Sequence, residues 1–263
     1  MLKKLFAIIY IISIFFIREN VIFADNSPFD LSSINQGIIE VKYELNANVK
    51  TKMMIEHNGQ KYYYDLLTSD ETFPLQMGNG KYMVAICEQK EGKQYVIKNQ
   101  ERFEVKLQNE KEVYLNSNQV ISWDESNSAV QLAKKLTEGT NDDEEKVSII
   151  HDYIVKNIQY DSGKYASLDK TYLPNVDDIL QSKKGICYDY ASLFAVMLRS
   201  VDVPTKLVKG YKDDISEYHA WNEVYVNNNW ATVDCTYDTA LYAGNLGTEI
   251  VKDSNQYRTE KVY

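Results

Sequence analysis

The chain has 263 residues, 29 lysines and arginines against 38 aspartates and glutamates, and a net charge of −9. An acidic chain without a basic cluster is a poor partner for nucleic acid, whose phosphates are met by lysine and arginine. Three cysteines, Cys87, Cys187 and Cys235, are too few and of the wrong parity for a disulfide-stapled scaffold, and they leave at least one thiol free.

The segment Met1–Ala24 has the layout of a secretory signal peptide. Lys3 and Lys4 come first, an apolar run follows from Leu5 to Ile17, and a polar break leads to the small residue Ala24. The apolar run is too short for a bilayer core, which takes ~20 residues at helical rise. Cleavage after Ala24 removes Lys3, Lys4, Arg18 and Glu19, a net two positive charges, so −9 becomes −11. The expected mature protein is secreted or held at the cell surface or envelope, with no stable membrane span.

Residues 36–115 read as a small all-β, sandwich-like domain. Ile39, Val41, Tyr43 and Leu45 alternate with charged residues, the period of a half-buried strand. Asn58-Gly59 between two β-rich runs is a hairpin signal. Tyr82, Val84 and Ile86 alternate after the turn Gly78-Asn79-Gly80, and Phe103, Val105 and Leu107 share a face. No titratable cluster marks this region as catalytic. Its expected role is packing or substrate positioning.

The polar stretch 116–128 reads as a linker, and residues 129–263 as a second domain with mixed helices and strands. A helix is expected over Ala129–Glu138, stopped by Gly139. Asn141 with Glu144 makes a capping-box-like start for the next, whose stripe is Val147, Ile150, Ile154 and Ile158. The acidic run Asp142–Glu145 suits that helix's N-terminus and is not read as a calcium site. His151, on the same helix, is read as structural or exposed. A short helix is expected over Val176–Ser182, and another from Cys187 to about Ser200, with Cys187, Tyr190, Ala191, Phe194 and Leu198 on one face.

Cys187 follows Gly185 and opens that last helix. Unpaired N–H groups and the dipole at a helix N-terminus favour an anion, hence the reactive thiolate, and can hold an oxyanion. Equally, Cys187 could be the first core residue of an amphipathic helix. A thiol nucleophile needs a base and the base an orienting acid. Of the three histidines, His219 opens the strand pattern Tyr218–Val226, and Trp230–Asp234 reads as the next strand. With a two-residue type I′ turn at Asn227-Asn228, Val226 faces Asn229, and His219, Trp221 and Asp234 share one sheet face. A three-residue loop would send Asp234 to the other face.

Four stretches together carry a family resemblance. Gly185–Ser200, GICYDYASLFAVMLRS, is similar to the nucleophile helix of the transglutaminase-like superfamily, and Val203–Tyr211, VPTKLVKGY, to the strand after it. Tyr218–Val226, YHAWNEVYV, resembles the histidine strand, and Trp230–Asp238, WATVDCTYD, the aspartate strand. The resemblance covers roughly residues 145–240. It implies an α+β, papain-like transglutaminase core behind the β domain, with a Cys187–His219–Asp234 triad and no cofactor or metal. It also implies attack on an amide carbonyl, a thioester, and resolution by water (peptidase or amidase, slightly favoured) or by an amine (transglutaminase). The implied partner is a protein or peptide, cell-wall peptide included. Gln181 and Tyr160 are two candidates for a further oxyanion donor, and Cys235 is expected in the core. The competing reading is an extracellular binding or adhesion protein that keeps the fold only as a scaffold.

Overall fold

A computed structural model describes residues 15–17, 27–169 and 171–263. Most of the expected signal peptide lies outside the described residues. No helix among those described is long and apolar enough to cross a membrane.

The chain forms two compact units. One gathers the segment up to residue 30 with residues 42–70 and 80–104, and the regular elements among its described residues are all β-strands. Its strands are β1 (Thr51–His57), β2 (Gln60–Asp65), β3 (Gly80–Glu91) and β4 (Gln94–Val105), in the order β4-β3-β1-β2, with Phe15–Ile17 beside β4. The β1–β2 hairpin closes with His57 opposite Gln60 across Asn58 (φ 49°) and Gly59 (φ 82°), the two left-handed positions a type I′ turn requires. Met54, Ala85, Cys87 and Tyr95 form a buried cluster, and burial pushes the Cys87 thiol up to about 12, as expected of an inert core thiol.

The second unit contains residues 31–41, 71–79 and 105–263. The stretch 116–128, read from composition as a linker, belongs to this unit. Asn118, Val120 and Ile121 are buried there, and Asn118 Oδ1 accepts from the backbone of Val120 and Ile121. The helices are α1 (Ser128–Leu136), α2 (Asp143–Asn157), α3 (Val176–Ser182), α4 (Cys187–Arg199) and α5 (Cys235–Ala243). The strands are β5 (Thr205–Lys212), β6 (Ile215–Val226), β7 (Asn229–Val233) and β8 (Tyr257–Val262), in the antiparallel order β7-β6-β5-β8.

Helix α2 starts one residue later than the Asn141 reading. Asp142 is the N-cap, and its carboxylate accepts from Glu145 N at 3.1 Å. The acidic run therefore caps the helix and complements its dipole. Every residue of α4 is buried, against β5 and β6 and among the other helices. Such a helix is apolar all round or has most of its polar groups satisfied, and here the Ser192 hydroxyl is the exception, buried with no hydrogen-bond partner among the described residues. Tyr190 donates to Ile158 O at 2.7 Å, and the buried Arg199 guanidinium donates to the carbonyls of Thr205, Asn116 and Tyr263. The result is an α+β unit with one central helix whose N-terminus ends at Cys187.

Candidate active site

Helix α4 begins at Cys187, with Ile186 as its N-cap. The first helical hydrogen bond runs from Tyr190 N to Ile186 O at 3.0 Å. The N–H groups of Cys187, Tyr188 and Asp189 precede it and have no partner within the helix. Asp189, fully buried, reaches back to accept from Ile186 N at 2.9 Å. The same carboxylate accepts from Lys164 Nζ at 2.6 Å and from the Tyr172 hydroxyl. A Cβ at Gly185 would stand 2.6 Å from Asp189 Cβ, so only glycine lets the chain pass this carboxylate on its way to the cysteine.

The hairpin β6–β7 supplies the other two predicted residues. Val226 lies opposite Asn229, and Asn227 and Asn228 have φ of 49° and 62°. This is the two-residue turn and register expected from the Asn-Asn-Asn sequence. One detail differs: β7 ends at Val233, and Asp234 is the N-cap of α5, accepting from Tyr237 N at 3.0 Å. The cap satisfies one carboxylate oxygen, Oδ1. The other, Oδ2, accepts from His219 Nε2 at 2.8 Å and from the Tyr257 hydroxyl at 3.1 Å. Both His219 and Asp234 are buried.

Cys187 lies close enough to act on the His219 ring, and with Nε2 given to Asp234 the nitrogen left to face the sulfur is Nδ1. Burial alone would push the imidazole down. The hydrogen bonds and charges of Asp234 and Cys187 outweigh that and hold it up at about 10. The structure thus brings sulfur, imidazole and carboxylate to one site, although Cys187 and Asp234 lie on opposite sides of the strand that carries His219 in the sequence.

Trp221 packs beside the site, its ring stacked on His219 with centroids 6.3 Å apart and tilted on Tyr257 at 5.0 Å. Asn222 Nδ2 donates to Ala191 O and Lys206 O, both at 3.0 Å, tying α4 to the strands that carry the histidine. Lys209 Nζ stands 3.3 Å above the Tyr188 ring, and burial lowers it to about 8 while the neighbouring Cys187 raises it.

Of the two further oxyanion candidates, Tyr160 lines the cleft and Gln181, exposed on α3, does not. Gln159–Tyr160 pairs in parallel with Lys184–Gly185, which fixes Tyr160 beside the entry to Cys187. Cys235 is buried, as expected, at the start of α5, and all three cysteines are free.

Two features escaped the sequence reading. Tyr257 on β8 donates to the Asp234 carboxylate, and nothing in its local pattern announces that role. His151 is not an isolated histidine. Its Nε2 lies 2.8 Å from Asp238 Oδ2, and Lys252 Nζ lies 2.5 Å from Oδ1. Asp238 sits one helical turn after Asp234, a spacing that could have drawn attention to it. His151 Nδ1 is 3.6 Å from Asp152 Oδ1, outside hydrogen-bond reach.

Cys187 and His219 open into a cleft of about 620 Å³ whose walls are mainly apolar and aromatic. Among the described residues no group of three or more histidines, cysteines or acidic residues is placed to hold a metal ion.

Residues 130–235 match the core of the transglutaminase-like superfamily. The human kyphoscoliosis peptidase is 32% identical over 122 residues, covering 42% of this chain and 18% of that protein. The uncharacterised protein YebA of Bacillus subtilis is 30% identical over 125 residues, covering 40% of this chain and 17% of that protein. The chain therefore spans less than a fifth of these curated relatives. A solved structure of a candidate cysteine protease from Cytophaga hutchinsonii aligns over 86% of this chain and 75% of its own, at 18% identity and a TM-score of 0.47.

Proposed function

Residues 130–235 belong to the transglutaminase-like superfamily, and on that premise we propose that the protein is an exported thiol enzyme acting on amide bonds through Cys187, His219 and Asp234. One observation carries this reading: His219 gives Nε2 to Asp234, and His219 and Cys187 line one open cleft.

The chemistry follows from the geometry. His219 takes the Cys187 proton on Nδ1, giving a thiolate and an imidazolium. The Asp234 carboxylate, held by Tyr237 N and Tyr257, keeps Nε2–H pointed at itself and stabilises the positive ring. The sulfur lone pair forms a C–S bond with the substrate carbonyl carbon. The oxyanion that develops faces the free N–H groups at the start of α4. As the tetrahedral centre collapses, the C–N bond breaks, Nδ1–H protonates the leaving amine, and a thioester remains.

Water then attacks the thioester, giving its proton to Nδ1 and releasing a carboxylic acid and the thiol. A primary amine in place of water gives a new amide. One active site serves both outcomes, and we favour hydrolysis, which makes the protein a peptidase or amidase. The signal-peptide pattern of Met1–Ala24 places this chemistry outside the cytoplasm.

The test is mass spectrometry of a protein substrate incubated with wild-type and Cys187→Ala protein, with and without an isotopically labelled amine. Cleavage or deamidation by the wild type alone is the expected result, with the mature enzyme beginning at Asp25. Incorporation of the amine would move the assignment to acyl transfer. Identical spectra for wild type and variant would contradict an enzyme and favour the scaffold reading.

A further inference from the structure

The cleft beside Cys187 has an uneven charge. Glu217 is the one carboxylate among its lining residues, two positions before His219 on the same face of β6. It is exposed, and it makes no ion pair or hydrogen bond among the described residues. The acidic groups deeper in the site are all engaged: Asp234 by His219 and Tyr257, Asp189 by Lys164 and Tyr172. Asp214, near the cleft wall, is paired with Lys212 and accepts from Tyr237.

Next to Glu217 the cleft presents two tyrosine rings. Tyr160 and Tyr165 are 47% and 42% exposed, large open rings in a unit that buries most of its aromatic surface. Tyr160 and Tyr165 line the same cleft as the nucleophile Cys187 and the carboxylate of Glu217. An aliphatic stem laid across these rings would lose water-exposed apolar surface, and a positive head would meet the negative ring faces and the carboxylate. A negative side chain in the same place would meet a carboxylate with no counter-ion of its own among the described residues.

We propose that Glu217, with the rings of Tyr160 and Tyr165, makes the cleft selective for substrates that carry a lysine-type cationic side chain beside the scissile amide. This deepens the thiol-enzyme reading and rests on it for the identity of the reacting bond. The selectivity itself is a property of the cleft and is readable at Cys187 whether or not a substrate is turned over.

The experiment uses three methanethiosulfonates on the full chain: a trimethylammonioethyl, a sulfonatoethyl and an uncharged methyl reagent. In each, the Cys187 thiolate attacks the sulfenyl sulfur, methanesulfinate leaves, and a mixed disulfide forms. Each charged rate is divided by the uncharged rate of the same variant, which removes any general change in folding or thiol reactivity. Lys209 and His219 contribute equally in all variants, so only the change in the cation-to-anion ratio matters.

Glu217→Gln is expected to lower that ratio about fivefold, the scale of one exposed charge contact with a cation–π partner, and Glu217→Lys to lower it further. Tyr160→Leu, Tyr165→Leu double replacement is expected to lower it by about half as much. A ratio that stays the same in Glu217→Gln and Glu217→Lys overturns the proposal. A matched pair of peptides with lysine or norleucine beside the amide gives the second readout. Turnover of both at equal rates overturns the proposal while leaving the thiol enzyme standing. Turnover of neither, with a ratio that falls as expected, sinks the enzyme and leaves the cationic selectivity of the cleft in place.

Discussion

At the scale of single residues, His219 is the group on which the proposed chemistry turns. It is buried, yet its proton is held to about 10 against an ordinary value of 6.5, because the bond to Asp234 and the neighbouring Cys187 outweigh the burial. A raised value on folding stabilises the protein fully below 6.5, and that contribution is lost as the pH climbs toward about 10. Asp234 provides the countercharge, so Asp234→Asn leaves burial to dominate. The His219 ring, followed by NMR, should then release its proton about 1–3 pH units lower than in the wild type. An unchanged titration would show that Asp234 does not set the charge of the ring. That the three candidate residues come together was legible in the sequence, because each sits inside a motif of its own and the Asn227-Asn228 turn fixes the register between two of them. Tyr257 was not legible. Its role depends on β8 pairing with β5 at a bulge by Gly210, where a Cβ would lie 2.0 Å from Arg258 O, and no local spacing encodes that approach. Glu217 was within reach, since strand alternation alone puts it on the face of His219.

At the scale of elements, two helix N-termini hold the site, and each is anchored by a buried carboxylate. Asp189 braces the start of α4 through Ile186 N, Lys164 and Tyr172. Helix α5 begins on Asp234, and one turn later Asp238 is clamped between His151 and Lys252. Removing one partner from a buried charged group costs far more than the pair gains, because the remaining groups cannot recover their hydration. Asp238→Ala leaves His151, 1% exposed, and Lys252, 11% exposed, without their shared acceptor. It is expected to cost about 3–5 kcal/mol in urea unfolding, and to slow the reaction at Cys187 by loosening the helix that Asp234 caps. A loss within about 0.5 kcal/mol, typical of surface substitutions, would remove the clamp from the account. The helix periodicities predicted α2, α3 and α4 to within a residue or two. The clamp went unread because His151 and Asp238 are 87 positions apart and belong to different patterns. The aspartate strand was read one residue too long, since a strand-end aspartate and a helix N-cap look alike until the next helix is seen.

At the scale of the whole molecule, the α+β character and the all-β region ahead of the helical core follow from the switch between period-two and helical patterning along the chain. The way the chain is shared between the two units was harder to read. Residues 31–41 and 71–79 belong with the second unit although their composition matches their β-rich neighbours, because long-range pairing, not local pattern, decides which unit a strand joins. The second unit holds the candidate site: one enclosed helix carries Cys187, one hairpin carries His219 and leads into Asp234, and a late strand adds Tyr257. The claim that these parts work as one is tested most directly by the rate at which iodoacetamide alkylates Cys187 at neutral pH in wild type, His219→Ala and Asp234→Ala. Fast, selective modification is predicted for Cys187, which lines the cleft, over Cys87 and Cys235, which do not, with a loss of about 10-fold or more in both variants, because a cysteine without its partners is only a few per cent thiolate at neutral pH. Equal rates in all three proteins would contradict it.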